Sequence, residues 1–390
     1  MKILQVISTF YPALAFGGPV KVVYETSKEL AKRGHEVEVY TTNAYDQTRN
    51  FKPKCKEQTM NGFKVTYFNN LIRPGKLFLS PEMTVVLRKK LKEFDVVHTH
   101  FGRQVYDVAV GYYAKKYGVP YVLQARGSLP RIMAWQRLKW VYDVFFGYRL
   151  LRDASKVVAL SQVEAQQYKA MGVPEEKIAI IPNGIDLSEY ANLPPKGSFR
   201  KKFSIDDNEK IVLYLGRIHR IKGIDVLLKA FSHVAKTSED AKLVVVGPDD
   251  GYLSVCKDLA KRLNLEGKVL FAGPLYGKAK LEAYVDADMF ALPSRYEIFG
   301  NVILESYACS KPVIVTRVGG LKEIVFNGKT GLIVKPGDVK GLASAMFILL
   351  TDDRTRISMG MRARRVVEEK FPLEKIVDKL EATYSEILQR

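Results

Sequence analysis

The chain has 390 residues, of which 47% are hydrophobic, 11% aromatic and 26% charged. This composition excludes an intrinsically disordered chain, and at about 150 residues per domain the length predicts two or three domains. The 61 Lys and Arg residues outnumber the 42 Asp and Glu residues, so the formal net charge is +19. A charge of this size favours anionic partners, namely nucleic acid, a phospholipid surface or phosphorylated small molecules.

Cysteine usage and hydropathy both indicate a cytosolic protein. Cys55, Cys256 and Cys309 form no Cys-x-x-Cys pair, which excludes a disulfide scaffold and a cysteine-rich zinc module. No stretch approaches the roughly 18 uninterrupted apolar residues of a membrane-spanning helix. Polar residues and Pro12 interrupt the apolar N-terminal run, so we expect a buried strand there rather than a signal peptide.

Short β-branched runs alternate with helix-length segments along the whole chain. The first series of predicted strands covers residues 2–8, 36–42, 64–68, 95–100, 121–125, 156–161 and 178–182. The second series covers residues 210–216, 242–247, 269–273, 289–293, 312–316 and 331–334. Several runs are apolar at consecutive positions, as in strands that are covered on both faces. This alternation predicts parallel sheets with right-handed crossovers.

Residues 188–209 interrupt the series, because they combine two prolines, a glycine and a charge cluster with little apolar content. We therefore predict two Rossmann-like, doubly wound domains that face each other across a cleft. The first domain covers residues 1–190 and the second covers residues 200–372. Apolar residues at helical spacing between 376 and 388 need a surface to cover, so we expect residues 373–390 to return to the first domain.

Ligands of open parallel sheets bind beyond the carboxyl ends of the strands, where helix N-termini direct backbone amides at anions. Gly17 and Gly18 follow the first strand, and Pro19 suits the first helical turn. A Val-Gly-Gly sequence at 318–320 follows the strand at 312–316. Each of these two loops is a candidate for close approach of a ligand to the backbone, and an ordinary βα turn is the alternative.

Two cations lie in the loop after the first strand of the second domain. Gly216 and Arg217 come first, and Lys222 and Gly223 follow at the start of a predicted helix. Cations at these positions can neutralise a diphosphate from two directions. A solvated basic turn is the alternative, and the position of the loop favours phosphate binding.

Two glutamates follow the predicted strand at 289–293. Glu297 lies in the loop, Gly300 interrupts the backbone, and Glu305 lies in the helix that follows. The two carboxylates can hold separate hydroxyl groups, one set on a sugar and one on a ribose. The amides from Phe299 to Val302 can meet an anion. Two surface glutamates with a helix-cap glycine are the alternative.

The first domain contributes candidates on the acceptor side. His98 and His100 alternate on one predicted strand, so they share a face, and Arg126 follows the strand at 121–125. A zinc site would need a further Cys or His nearby, and the sequence has none there. We therefore predict no metal site.

Three motifs, in this order and spacing, resemble glycosyltransferase family 4, the group 1 retaining glycosyltransferases. They are Pro-Asn-Gly-Ile-Asp at 182–186, Gly-Arg-(four residues)-Lys-Gly from Gly216 and Glu-(seven residues)-Glu from Glu297. The resemblance covers essentially the whole chain. It implies the GT-B fold, with the nucleotide-sugar donor on the C-terminal domain, the acceptor on the N-terminal domain and no catalytic metal or other cofactor.

The same resemblance implies roles for individual residues. Glu305 is expected to bind the donor ribose, Arg217 and Lys222 the diphosphate, and Glu297 the transferred sugar. The catalytic residues would then be Glu297, Arg217 and Lys222. The remaining donor-site positions are the loop at Gly17 and Gly18, the backbone at Phe299, Gly300, Asn301 and Val302, and, for the base, the loop that ends at Leu275.

One position departs from the family pattern. Many members carry His-Gly where this chain has Arg126 and Gly127, so catalysis on the acceptor side cannot be transferred by analogy. Arg126 and His100 remain acceptor-side candidates. An arginine at this position can bind either the diphosphate or an anionic acceptor.

The resemblance implies retaining transfer of a hexose-type sugar from a nucleotide-diphosphate sugar. The expected acceptor is a glycan or a lipid-linked compound of cell-envelope polysaccharide or glycoconjugate biosynthesis. Another GT-B enzyme, such as a sugar-nucleotide epimerase or a phosphorylase, is one alternative, and a non-catalytic sugar-binding relative is another. A basic nucleic-acid-binding protein is a further alternative, but the sequence contains no recognisable binding module, so no nucleic-acid partner is expected.

The excess charge is uneven. Residues 1–200 carry a net charge of +13, residues 201–390 carry +6, and residues 51–150 alone carry +12. The last stretch contains basic residues and tryptophans in a mixture that suits a membrane interface: Arg131, Trp135, Arg137, Lys139 and Trp140. One interpretation is a cytoplasmic protein peripheral to anionic lipid at the inner face of the membrane. A solvated basic face over an aromatic core is the alternative.

Overall fold

The computed structural model describes residues 1–46, 48–71, 78–132 and 135–389. The chain divides into two compact units. Unit 1 consists of Met1–Gly184 together with Leu373–Arg390, and unit 2 consists of Ile185–Pro372. Each unit is built on its own parallel sheet with helices between the strands.

The sheet of unit 1 is parallel except at one edge. Its strands are β1 (Lys2–Val6), β2 (Glu36–Thr42), β3 (Glu57–Met60), β4 (Phe63–Phe68), β5 (Val96–His100), β6 (Tyr121–Gln124), β7 (Lys156–Ala159) and β8 (Ile178–Ile180). They lie in the order β3-β4-β2-β1-β5-β6-β7-β8, and only the β3–β4 pairing is antiparallel in the described sheet. The order reverses direction at β1, which is where doubly wound sheets place their binding loops.

Helices cover both faces of this sheet. They are α1 (Gly18–Lys32), α2 (Pro81–Lys90), α3 (Val105–Tyr117), α4 (Gln136–Tyr142), α5 (Tyr148–Asp153), α6 (Gln162–Ala170) and, from the end of the chain, α15 (Leu373–Leu388). One apolar core includes residues of α2, α3, α5 and α6, and the core on the other face includes residues of α1 and α15. The two cores explain why the central strands are apolar at consecutive positions.

Helix α15 packs in unit 1. Its apolar stripe includes Ile376, Leu380 and Tyr384, which are buried in the core that also holds residues of α1. The guanidinium of Arg33 donates to Asp378 at 2.6 Å and to Glu381 at 2.5 Å. These contacts fix the end of the chain on the N-terminal unit.

The sheet of unit 2 is entirely parallel in the described residues. Its strands are β9 (Lys210–Leu215), β10 (Ala241–Val246), β11 (Val269–Gly273), β12 (Met289–Leu292), β13 (Val313–Thr316) and β14 (Gly331–Val334), in the order β11-β10-β9-β12-β13-β14. The helices are α7 (Ser198–Phe203), α8 (Ile224–Val234), α9 (Leu253–Arg262), α10 (Gly277–Asp286), α11 (Asn301–Ala308), α12 (Leu321–Ile324), α13 (Val339–Thr351) and α14 (Asp353–Lys370). Because β9, β12 and β13 are neighbours, the loops at their carboxyl ends emerge side by side.

All the predicted strand segments contain an observed strand, and two features differ from the prediction. Strand β3 was not predicted, because its sequence Glu-Gln-Thr-Met has no apolar run. Residues 188–209, predicted as a linker, contain α7, which is held to α10 within unit 2. The buried carboxylate of Asp286 accepts hydrogen bonds from the amides of Gly197, Phe199 and Arg200 at 2.5–3.0 Å.

In the described part of the chain, no helix is both long and apolar enough to cross a membrane.

The hydroxyl of Tyr384 gives a test of how α15 is anchored. It lies 2.7 Å from Nδ1 of the buried His98, so Tyr384→Phe leaves a buried ring nitrogen without this partner. We expect a loss of about 1–2 kcal/mol in the free energy of unfolding, measured by chemical denaturation. The matched control is Tyr112→Phe, which alters an exposed tyrosine. Equal stability of the Tyr384→Phe and Tyr112→Phe variants would contradict this role.

Candidate functional site

The loops after β9, β12 and β13 touch through their backbones. A Cβ atom on Gly223 would lie 2.1 Å from the carbonyl oxygen of Pro293, and one on Gly319 would lie 1.6 Å from that of Glu297. Both distances are far below van der Waals contact, so any larger residue would push the loops apart. The three loops therefore form one rigid surface at the carboxyl edge of the unit 2 sheet.

An arginine that the sequence analysis did not identify fastens the first two of these loops. Arg295 donates to both carboxylate oxygens of Asp225 at 2.7–2.8 Å and to the carbonyl oxygen of Arg220 at 2.6 Å. Although burial raises the pKa of Asp225, hydrogen bonds and charge from Arg295 lower it overall. Because the carboxylate stays ionised, the loop that carries Glu297 is held against the turn that carries Lys222.

Lys222 and Glu297 form an ion pair. The ammonium nitrogen of Lys222 lies 2.5 Å from Oε2 of Glu297, and the two side chains are only 16% and 17% exposed. The backbone of Lys222 belongs to a short 3₁₀ turn, capped by the His219 ring, whose Nδ1 accepts from the Ile221 amide at 3.0 Å. A lysine ammonium has three donor hydrogens, so a lysine held in this way can still donate to a ligand.

Arg217 lies in the same loop as Lys222 and pairs with a different carboxylate. Its guanidinium donates to Oδ2 of Asp250 at 2.5 Å. Asp249 accepts three backbone amides, from residues 251 to 253, through one carboxylate oxygen. The Asp249-Asp250 pair thus caps a turn and orients an arginine.

Helix α11 begins beside Glu297. Gly300 precedes it with a φ of 81°, and the amides of Asn301 and Val302 lie at the positive end of the helix dipole. Phe299 is buried and contacts the ring of Phe371. The helix N-terminus and Lys222 therefore present positive potential from the loops after two neighbouring strands.

Glu305 is held by two residues that sequence reasoning missed. Its carboxylate accepts from Lys280 at 2.7 Å and from the hydroxyl of Tyr284 at 3.1 Å, and it is 8% exposed. Lys280 and Tyr284 are four residues apart on α10, so they face the same side. This spacing is visible in the sequence, but only the order of the strands shows that α10 lies beside α11.

Leu275 is half-buried in the loop that leads from β11 to α10.

The predicted residues of unit 1 occupy two places. Gly17 has a φ of 88° directly before α1, and no atom lies within 4 Å of a Cβ built on it, so its backbone conformation rather than crowding favours glycine. Gly18 opens α1. His100 and Arg126 lie together at the ends of β5 and β6.

His100 and Arg126 belong to a hydrogen-bonded network within unit 1. Arg126 donates from Nε to Nδ1 of His100 at 3.1 Å and from Nη1 to the side-chain oxygen of Asn183 at 3.0 Å. Nε2 of His100 then carries the proton and donates to Gln5 at 2.9 Å. The structure buries both predicted histidines, so neither imidazole ring is exposed to solvent.

Burial determines the charge of this network. It lowers the pKa of His98 to about 3, and the charge of Arg126 adds to the effect. Burial, His98 and Arg126 also lower the pKa of His100 well below its usual value. Both rings are therefore neutral at neutral pH, and Arg126 carries the positive charge of the network.

Two parallel-sheet α/β units of this construction define a GT-B protein. The solved structures show the same fold: Anabaena HepE with UDP and glucose matches with a TM-score of 0.80 and 22% identity over 99% of this chain and all of that one. Sucrose-phosphate synthase from Thermosynechococcus elongatus matches with a TM-score of 0.78 and 22% identity over the full length of both chains.

The sequence comparisons identify the family. Residues 195–366 match glycosyl transferases group 1, and residues 16–189 match glycosyltransferase family 4. N-acetyl-α-D-glucosaminyl L-malate synthase of Bacillus anthracis is 29% identical over 99% of this chain and 98% of its own length. D-inositol 3-phosphate glycosyltransferase of Kineococcus radiotolerans is 28% identical over 90% of this chain and 86% of its own. The chain belongs to the group 1 glycosyltransferases of family 4, and it is a glycosyltransferase.

The contact between Gly319 and Glu297 can be tested by adding one methyl group. In Gly319→Ala the new Cβ collides with the carbonyl of Glu297, whereas Gly337, which also has a positive φ, faces open space. Gly337→Ala is expected to cost about 1 kcal/mol in backbone strain, and Gly319→Ala about 1–3 kcal/mol more. Thermal unfolding of the two variants measures the difference, and equal melting temperatures would contradict the close packing of these loops.

Proposed function

We propose that this glycosyltransferase transfers a hexose-type sugar from a nucleotide-diphosphate sugar to an acceptor hydroxyl, with retention of the anomeric configuration. The observation that carries the proposal is the ion pair of Lys222 with Glu297 beside the N-terminus of α11. It places a cation, a carboxylate and helix amides together at the carboxyl edge of a parallel sheet. A sugar diphosphate needs this combination, with cations and amides for phosphate oxygens and a carboxylate for hydroxyl groups.

The proposed contacts with the donor described here are made by residues of unit 2. Lys222, Arg217 and the amides at the start of α11 bind the diphosphate, Glu297 contacts the transferred sugar, and Glu305 binds the ribose. Lys280 and Tyr284 hold the Glu305 carboxylate in place. The loop that ends at Leu275 receives the base. That HepE was solved with UDP and with UDP-glucose supports a nucleotide-sugar donor.

The proposed acceptor is a glycan or lipid-linked compound of cell-envelope biosynthesis. Arg126, whose charge is held by neutral His100 and Asn183, favours an acceptor that bears a phosphate or carboxylate. The names of two relatives contain L-malate and D-inositol 3-phosphate, which are both anions. A small acid is therefore the second candidate for the acceptor.

The proposed mechanism uses attack on the front face of the sugar. The acceptor oxygen forms the new bond to the anomeric carbon while the bond to the diphosphate breaks, and the departing diphosphate oxygen takes the acceptor proton. No protein nucleophile is needed. The protein stabilises negative charge that develops on the diphosphate, and one such donor is worth about 3 kcal/mol in the transition state.

A thermal-shift screen with UDP-, GDP- and ADP-sugars tests the donor class and identifies the base. A ligand at 100 times its dissociation constant stabilises a protein by about 2.7 kcal/mol. We expect nucleotide-sugars with one of the three bases to raise the melting temperature clearly. If none of the nucleotide-sugars shifts the melting temperature, the proposed donor class is contradicted. Donor turnover without an acceptor would instead indicate an epimerase or hydrolase, and NMR of the anomeric proton of the product tests retention.

Arg217→Ala and Lys222→Ala test the proposed catalytic role. Each removes a cation from the diphosphate, so turnover is expected to fall about a hundredfold or more while the protein stays folded. Lys340→Ala, which removes an exposed lysine from α13, is the matched control and is expected to keep full turnover. Unchanged turnover in either Arg217→Ala or Lys222→Ala would rule out the assignment of that residue.

A further inference from the structure

Residues 135–152, here called the α4–α5 segment, form a helical stretch in unit 1. It runs through α4 and a single turn of π-helix at Asp143–Gly147 into α5. Nothing in the proposed chemistry uses this segment. Its side chains are arranged unusually, because its one carboxylate is buried and most of its large apolar side chains are exposed.

The buried stripe of the segment is anchored by an ion pair. Asp143 is fully buried, and its carboxylate accepts from Arg103 at 2.8 and 2.9 Å and from Arg131 at 2.8 Å. Gly147 and Leu150 continue the same stripe toward the core of unit 1. A Cβ on Gly111 of α3 would lie 2.2 Å from a methyl carbon of Leu150, so the segment is held tightly against α3. The orientation of the segment is therefore fixed.

The exposed faces of the segment are apolar and aromatic. Phe145 is 69% exposed, Trp135 is 57% exposed and Trp140 is 53% exposed. The full set of exposed large apolar side chains in this stretch is Trp135, Leu138, Trp140, Val141, Val144, Phe145, Phe146 and Tyr148. Soluble monomers rarely expose so many adjacent apolar residues, and such patches mark interaction sites.

The charges around this apolar surface are positive. Arg137, Arg149 and Arg152 are exposed, and the one carboxylate within the segment, Asp143, is buried among arginines. Asp153, next along the chain, lies within 4.0 Å of three cations: Lys115, Arg149 and Arg152. The single carboxylate of Asp153 cannot offset three cations, so the surface keeps a net positive charge. Apolar and aromatic side chains on a positively charged surface match a layer that is anionic outside and hydrocarbon inside.

We propose that the α4–α5 segment docks this protein on an anionic lipid surface. The tryptophans and phenylalanines enter the boundary between headgroups and acyl chains, and the arginines contact lipid phosphates. Because Asp143 fixes the segment from inside, the surface is preformed and needs no folding on binding. This docking is independent of the donor chemistry in unit 2 and would persist if that chemistry were assigned wrongly.

Tryptophan fluorescence reports on this surface alone, because the chain has two tryptophans and both lie in it. We expect vesicles of phosphatidylcholine mixed with phosphatidylglycerol to shift the emission to shorter wavelength, and lipids brominated on the acyl chain to quench it. Vesicles of phosphatidylcholine alone should have little effect. At about 1 M salt the Debye length falls to about 3 Å, so binding should weaken.

Variants separate docking from other changes. Leu138→Ser with Phe145→Ser removes two exposed apolar side chains and is expected to weaken partition into anionic vesicles about tenfold or more. Ile357→Ser with Met361→Ser changes two comparably exposed apolar residues on α14 and should bind as the wild type does. Thermal unfolding establishes that both double variants are folded.

Three results would overturn the proposal. They are tryptophan emission that is unchanged by anionic vesicles, equal binding to neutral and anionic vesicles, and full binding by the Leu138→Ser, Phe145→Ser variant. A shift to shorter wavelength that depends on protein concentration without lipid would assign the surface to a second copy of the chain, and would also overturn it.

Discussion

The ion pair between Lys222 and Glu297 is the interaction on which the candidate site depends. It joins the loop after β9 to the loop after β12 through two mostly buried side chains, whose Nζ and Oε2 atoms lie 2.5 Å apart. A cation and a carboxylate so close hold each other in position, and removal of one would leave the other mostly buried and unpaired. The pair therefore sets the position of both groups before any ligand arrives. Such preorganisation is what makes electrostatic stabilisation effective in catalysis.

The backbone around this pair explains why it can form. Gly223 and Gly319 let three loops approach to distances that no side chain would allow, and Arg295 ties two of the loops together through Asp225. The second glutamate, Glu305, is held by two residues of α10. The two carboxylates therefore have different partners and can take different roles. The network in unit 1 is different, because buried neutral histidines there support one charged arginine, Arg126.

The sequence was sufficient for the architecture and insufficient for the pairings. Apolar runs and their spacing predicted every strand except β3, whose polar sequence at a sheet edge carries no pattern. Glu297 and Lys222 were both identified, but residues 75 positions apart meet only because β12 lies beside β9, which spacing cannot show. The partners Lys280, Tyr284 and Asp250 were missed for the same reason. The sequence alone does not show whether the tryptophans lie in the core or on the surface, and in the structure the buried Asp143 turns them outward.

A double-mutant cycle on turnover tests the central claim that Lys222 and Glu297 act as one unit. Turnover is measured for the wild type, Lys222→Met, Glu297→Gln and the double variant, once the donor is identified. Groups that act together in catalysis give strongly non-additive losses. Each single variant is expected to lose about a hundredfold in turnover, and the double variant is expected to be little worse than either. Losses that multiply in the double variant would show that the two residues act independently and would contradict a joint role.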